Sequence, residues 1–131
     1  MSASGQDTGQ ERIRQLTQRM LRKKVYVILS KGGATPEQIA AKLPEHLEYM
    51  IGLEKRGVLV ASGPLTAAPG NPAGDGLTIL RAESAEQACA LASTDPFVTN
   101  KLRNFEVREW TVMEGSLTLK VNFSDQTLEI S

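Results

Sequence analysis

Residues 24–30 read Lys-Val-Tyr-Val-Ile-Leu-Ser, and Gly32-Gly33 follows directly after Lys31. Five β-branched, aromatic or aliphatic residues in succession, ended by glycine, predict a strand rather than a helix. Val25, Val27 and Leu29 fall on one side of that strand, and Tyr26 and Ile28 on the other. Both faces are apolar, so this is the centre of a sheet that needs cover on two sides. Downstream, the pattern changes period. Ile39, Leu43, Leu47, Met50 and Ile51 recur at helical spacing. Thr35 is a natural N-cap, Pro36 suits the first turn, and Gly57 ends the helix. Pro44 lies inside this stretch and predicts a break near residues 41–43, or a helix that starts at Pro44 itself.

The remaining elements complete the order. Residues 58–62 (VLVAS) form a second strand, and the Pro-, Gly- and Ala-rich stretch from Leu65 to Asp75 reads as a mobile loop. Residues 76–82 form a third strand. Ser84 with Gln87 opens a helix over 85–94. Asp95-Pro96 either closes that helix or caps a further turn. Residues 105–112 form a fourth strand. Strand–helix–strand–strand–helix–strand is the ferredoxin-like, split βαβ order, so the fold class is α+β. Two helices cover one face of such a sheet, and the apolar second face implies a homodimer packed sheet to sheet.

The flanks differ in character. Residues 1–8 are small and polar, and Thr8 with Glu11 has capping-box spacing ahead of an amphipathic helix over 9–22. At the other end, Leu117, Leu119, Val121 and Phe123 alternate with polar residues, and Leu128 and Ile130 resume the alternation. That is an amphipathic hairpin within 115–131. The division implied is a tail and helix over 1–22 and a single α+β domain over 23–131.

Composition narrows the function. The chain has 131 residues, 15 basic and 15 acidic, with one cysteine and one histidine. Six basic against two acidic residues up to Lys24 give that segment +4 and leave −4 for the rest. A basic arm can bind nucleic acid or membranes, but this one has no aromatic residue to stack on bases or anchor in lipid. Neither partner is expected. One cysteine and one histidine exclude a disulfide framework and the common zinc motifs, so neither metal nor cofactor is expected. No apolar run is long enough to span a bilayer, and no leader-like segment is present, so a cytoplasmic setting is expected.

Chemistry then rests on few residues. At about 100° per residue, His46 falls within about 20° of Ile39, on the apolar side of its helix, with Lys42 and Tyr49 at the polar border. It is either a general base or a core histidine satisfied by the backbone. Asp95 at a helix end is either its partner or an N-cap. Ser62, Gly63 and Pro64 end a strand where a ligand can sit. A nucleophilic role for Ser62 lacks the Gly-x-Ser-x-Gly context. The glycines at 70, 74 and 76 lead into a strand rather than a helix, which argues against a phosphate cradle. Cys89, among alanines on its helix, reads as a packing residue. Trp110 reads as core or as a pocket wall.

The sequence resembles a known family. Pro44-Glu45-His46-Leu47-Glu48-Tyr49, Gly57, Ser62-Gly63-Pro64, Asp75-Gly76-Leu77, Ser84-Ala85-Glu86-Gln87-Ala88, Asp95-Pro96-Phe97 and the strand ending Glu109-Trp110 occur in the order of the YciI-like (YCII-related) family. The likeness covers about residues 24–112. It implies a ferredoxin-like subunit of a dimeric α+β barrel, with His46 and Asp95 as the active-site pair. An arginine that often precedes the family's histidine by three residues is Leu43 here. A proline that often precedes the aromatic at Trp110 is Glu109. The expectation is a cofactor-independent isomerase, lyase or dehydrohalogenase acting on a small molecule. Ser62, Gly63, Pro64, Tyr49, Lys42 and Trp110 would line its site. The alternative is a module that binds a small molecule or a protein without catalysis.

Overall fold

The structure, a computed structural model, describes residues 5–68 and 71–131. The chain parts into two compact units, Lys23–Thr111 and a second made of Met1–Arg22 with Val112–Ser131.

The larger unit is an α+β layer structure. Its elements are β1 (Lys23–Lys31), α2 (Pro36–Lys55), β2 (Leu59–Ala68), β3 (Asn71–Leu80), α3 (Ala85–Ala92), the single turn α4 (Pro96–Thr99) and β4 (Asn104–Val112). The sheet order is β2-β3-β1-β4, the ferredoxin-like order expected from the sequence. β1 and β3 pair antiparallel from Tyr26↔Leu80 to Ser30↔Gly76. That register sets Tyr26, Ile28 and Leu80 on the face that meets the helices. Met50 and Leu53 of α2 and Ala88 and Ala92 of α3 complete this core. The two alanines, one turn apart, allow α3 to lie close on β1. Leu53 and Leu80 are each 1% exposed. Burying either contributes about 1.5–3 kcal/mol.

α2 runs unbroken for 20 residues through Pro44, so the expected break near residues 41–43 does not occur. Proline there deprives the Ala40 carbonyl of its helical partner. Ala40 and Pro44 are both exposed, so water can take that bond. The helix ends are held firmly. Thr35 and Gln38 form a reciprocal capping box. Gly57, at φ +76°, closes the C-terminus with Gly57 N–H donating to Glu54 and Val58 N–H to Leu53, the paired bonds of a Schellman motif.

The stretch expected as a loop is mostly strand. β2 and β3 continue as a ribbon through Leu65↔Asp75 and Thr66↔Pro72 to Ala68↔Asn71, with register shifts on either side of Thr66. Gly74, at φ +74°, lies in one of these irregularities, so its glycine serves the bulged ribbon rather than a free loop. The tip, residues 69–70, is outside the described residues. Cys89 is exposed, not packed.

In the smaller unit, α1 spans Gly5–Thr17, and β5 (Leu119–Asn122) pairs with β6 (Thr127–Ile130) as the expected hairpin. Thr8 lies inside α1, so it is not the cap its spacing suggested. The polar residues before Glu11 extend the helix instead. Of the small polar stretch 1–8, residues 1–4 lie outside the described residues. The helix ends earlier than expected, where the Thr17 hydroxyl donates to the Ile13 carbonyl at 2.8 Å. The hairpin turn is set by Asp125, whose Oδ1 accepts from the Thr127 backbone at 3.1 Å and hydroxyl at 2.8 Å.

Candidate active site

α3 stops at Ala92, and four residues later the chain begins a fresh turn at Pro96. Asp95 is the N-cap of that turn: its Oδ1 accepts the Phe97 N–H at 2.9 Å. The same Oδ1 lies 2.8 Å from His46 Nδ1 on α2. The two readings of Asp95, cap and histidine partner, therefore hold together through one oxygen. Both side chains are nearly enclosed, His46 at 13% and Asp95 at 12% exposure. A carboxylate so placed has only acceptor capacity. With Asp95 ionised and the ring neutral, the proton between the pair lies on Nδ1 and Nε2 keeps its lone pair.

Phe97 supports the imidazole from below. The two rings stack with centroids 4.1 Å apart and planes at 14°. Phe97 is 1% exposed, so its position is fixed by packing. Its carbonyl also accepts two further N–H groups, Leu102 at 2.9 Å and Arg103 at 3.1 Å. These bonds fold the chain back, with Lys101 at φ +59°, and lay the Arg103 guanidinium 4.7 Å from the Phe97 ring centre. Gly32 abuts the same segment. A Cβ at Gly32 would stand 2.1 Å from the Leu102 carbonyl, so only glycine fits there.

These groups border a cavity of about 470 Å³ between α2 and the sheet. Its apolar wall comes from Ile39, Leu43, Leu47, Met50, Ile51 and Leu59. The polar side has His46, Asp95, Arg103, Ser30, Ser62 and Thr78, with Glu54 also at its border and Gly63, Pro64 and Gly76 as backbone floor. Ser62 and Thr78 hydroxyls are 3.0 Å apart across β2 and β3. The volume suits a small organic molecule.

Of the residues expected at the site, His46, Asp95, Ser62, Gly63 and Pro64 meet at this cavity. Tyr49, Lys42 and Trp110 are not among its lining residues. The Tyr49 hydroxyl donates to the Leu91 carbonyl, and burial pushes its pKa above the usual tyrosine range. Lys42 pairs with Glu45 at 3.4 Å. Trp110 is half-exposed on β4. Phe97 and Arg103 complete the site, although sequence reasoning did not assign them to it. A lone arginine in a short loop carries no periodic signal, and the Phe97 stack depends on contacts between distant segments.

Asp95→Asn tests the pair. Asparagine can still cap α4, so the melting temperature should change little. Its amide cannot stabilise a charged imidazole, and activity should fall by roughly 10²-fold or more. Thermal unfolding and steady-state kinetics on one preparation separate the two effects.

Residues 24–111 match the YCII-related domain. Among solved structures, the chain is similar to 5-chloro-2-hydroxyhydroquinone dehydrochlorinase from Burkholderia phenoliruptrix AC1100, in complex with 2,5-dihydroxybenzoquinone. The TM-score is 0.57 at 20% identity, covering 66% of this chain and 93% of that one. No curated protein matches the sequence significantly. The match spans β1 through β4, His46 and Asp95 included, and the chain belongs to the YCII-related domain family.

Proposed function

We propose that the protein is a cofactor-independent enzyme that moves a proton on a small organic molecule held in this cavity. The observation that carries the reading is the 2.8 Å contact between His46 Nδ1 and Asp95 Oδ1 at the cavity wall. Nε2 takes a proton from the substrate. The resulting imidazolium is stabilised by Asp95, and its ring is held on Phe97. In an isomerisation the proton returns at another position. In an elimination the electron pair of the broken C–H bond forms a double bond, and a halide leaves with its own bonding pair. The apolar wall excludes water, which strengthens the His46–Asp95 interaction.

The dehydrochlorinase likeness favours elimination. The test is chloride release from 5-chloro-2-hydroxyhydroquinone and related chlorinated phenols, with solvent deuterium incorporation as the measure of isomerisation. Turnover dependent on His46 is expected. Turnover that persists unchanged in His46→Gln contradicts the reading. Saturable binding without turnover across the panel favours the alternative, a binding module.

The working form is proposed to be a cytoplasmic homodimer. No helix among the described residues is long and apolar enough to cross a membrane. Val27 pairs with Ile79 and Leu29 with Leu77 on the sheet face opposite the helices. Leu77, Ile79 and Leu65 border an open groove there. A second copy is the simplest cover. Sedimentation equilibrium at micromolar concentration should give a dimer, and Ile79→Asp a folded monomer. A wild-type monomer contradicts the proposal.

A further inference from the structure

Arg103 is the one cation that borders the cavity, and among the described residues it has no hydrogen-bond or ion-pair partner there. Its Nε is buried without a partner. Burial pulls the guanidinium pKa down, while Asp95 and Asp75 act to raise it from beyond contact distance. A buried donor left unpaired is costly, while the rest of this half-buried guanidinium rests on Phe97 and stays open to a ligand. The chain nevertheless makes room for it. A Cβ at Gly76 would stand 2.8 Å from Nη1 and 3.6 Å from Cζ, so the guanidinium occupies the space a side chain would fill. Phe97 carries the guanidinium and the His46 ring together, at 4.7 Å and 4.1 Å from its centre. Both groups line the same cavity.

We infer that Arg103 is a specificity-determining residue that recognises an anionic oxygen, so that the cavity selects small, flat organic anions such as phenolates, enolates or carboxylates. The apolar wall of Ile39, Leu43, Leu47 and Ile51 takes the hydrocarbon body. The guanidinium takes the charged oxygen, with one hydroxyl of the mutually bonded Ser62 and Thr78 as a further donor. This assignment rests on the proposed function for its cavity and deepens it. It names the charge state of the substrate and does not depend on proton transfer.

The experiment uses 4-nitrophenol, which titrates near neutrality and is coloured only when ionised, with 4-nitroanisole as its neutral counterpart. Titration followed by absorbance and calorimetry gives affinity and the protonation midpoint of the bound phenol. The wild type should bind the phenolate roughly tenfold or more tightly than the anisole and lower the bound midpoint. Arg103→Gln should abolish both effects, and Arg103→Lys should retain part of them. Gly76→Ala, which leaves every charge in place but crowds Nη1, should weaken phenolate binding more than anisole binding. His46→Gln should leave the preference standing, which separates this inference from the proposed proton transfer. Equal binding of the two probes by the wild type, binding of neither, or an unchanged preference in folded Arg103→Gln overturns the assignment.

Discussion

Replacing His46 with glutamine should lower kcat/KM for the cavity's substrate by roughly 10²–10⁴-fold. Glutamine is the informative substitution because it preserves much of the local bonding. Its amide N–H can still donate to Asp95 Oδ1, now 2.8 Å from the imidazole Nδ1. What it lacks is a basic nitrogen, so no proton can be taken up. The loss should appear mainly in kcat, because the apolar wall and Arg103 remain to bind the substrate. Stability should change modestly, by about 0.5–1.5 kcal/mol for the ring stack on Phe97. Kinetics and thermal unfolding on the same variant check both parts. A variant with wild-type kcat shows that the imidazole is not the base.

Phe97→Ala should be the most damaging single change to the fold around the site. Phe97 is 1% exposed and among the largest fully buried side chains in the chain. Truncating a buried phenylalanine costs about 3–5 kcal/mol in lost transfer energy and cavity formation. For a domain of this size that lowers Tm by about 10 °C or more. The site should suffer beyond the stability loss, since the same ring supports His46 and Arg103. Phe97→Leu should recover part of the stability without restoring the planar support. Its activity should stay depressed after correction for the folded fraction. Differential scanning calorimetry and kinetics separate these terms. A Phe97→Leu enzyme as active as wild type would show that the stack is dispensable.

The fold was legible because its signals are local. Gly57 as helix terminator, Thr35 as N-cap ahead of Pro36 and the alternation in β1 each act within a few residues. Pro44 misled because the effect of an interior proline depends on whether water can reach the carbonyl it deprives, which exposure decides and sequence does not. The stretch 65–75 misled for a similar reason. Its prolines and glycines sit in a bulged two-stranded ribbon, where edge positions tolerate residues that central strands reject. At the site, His46 could be found from helical phase and Asp95 from its cap position. Their meeting was implied by the family resemblance alone, since no local signal joins α2 to α4. Arg103 was hidden further still. Its role depends on the Phe97 carbonyl folding back residues 102–103 and on the lack of a side chain at Gly76.

The chain's single histidine makes the central claim directly observable. In ¹⁵N–¹H long-range correlation spectra of the neutral ring, only one imidazole contributes, and no assignment is needed. If Asp95 accepts the Nδ1 proton and leaves Nε2 free to act as base, the wild type should show the Nδ1–H tautomer. Asp95→Ala should shift the population toward Nε2–H, the form favoured by free histidine. A wild-type spectrum dominated by the Nε2–H tautomer, unchanged by Asp95→Ala, would contradict the account.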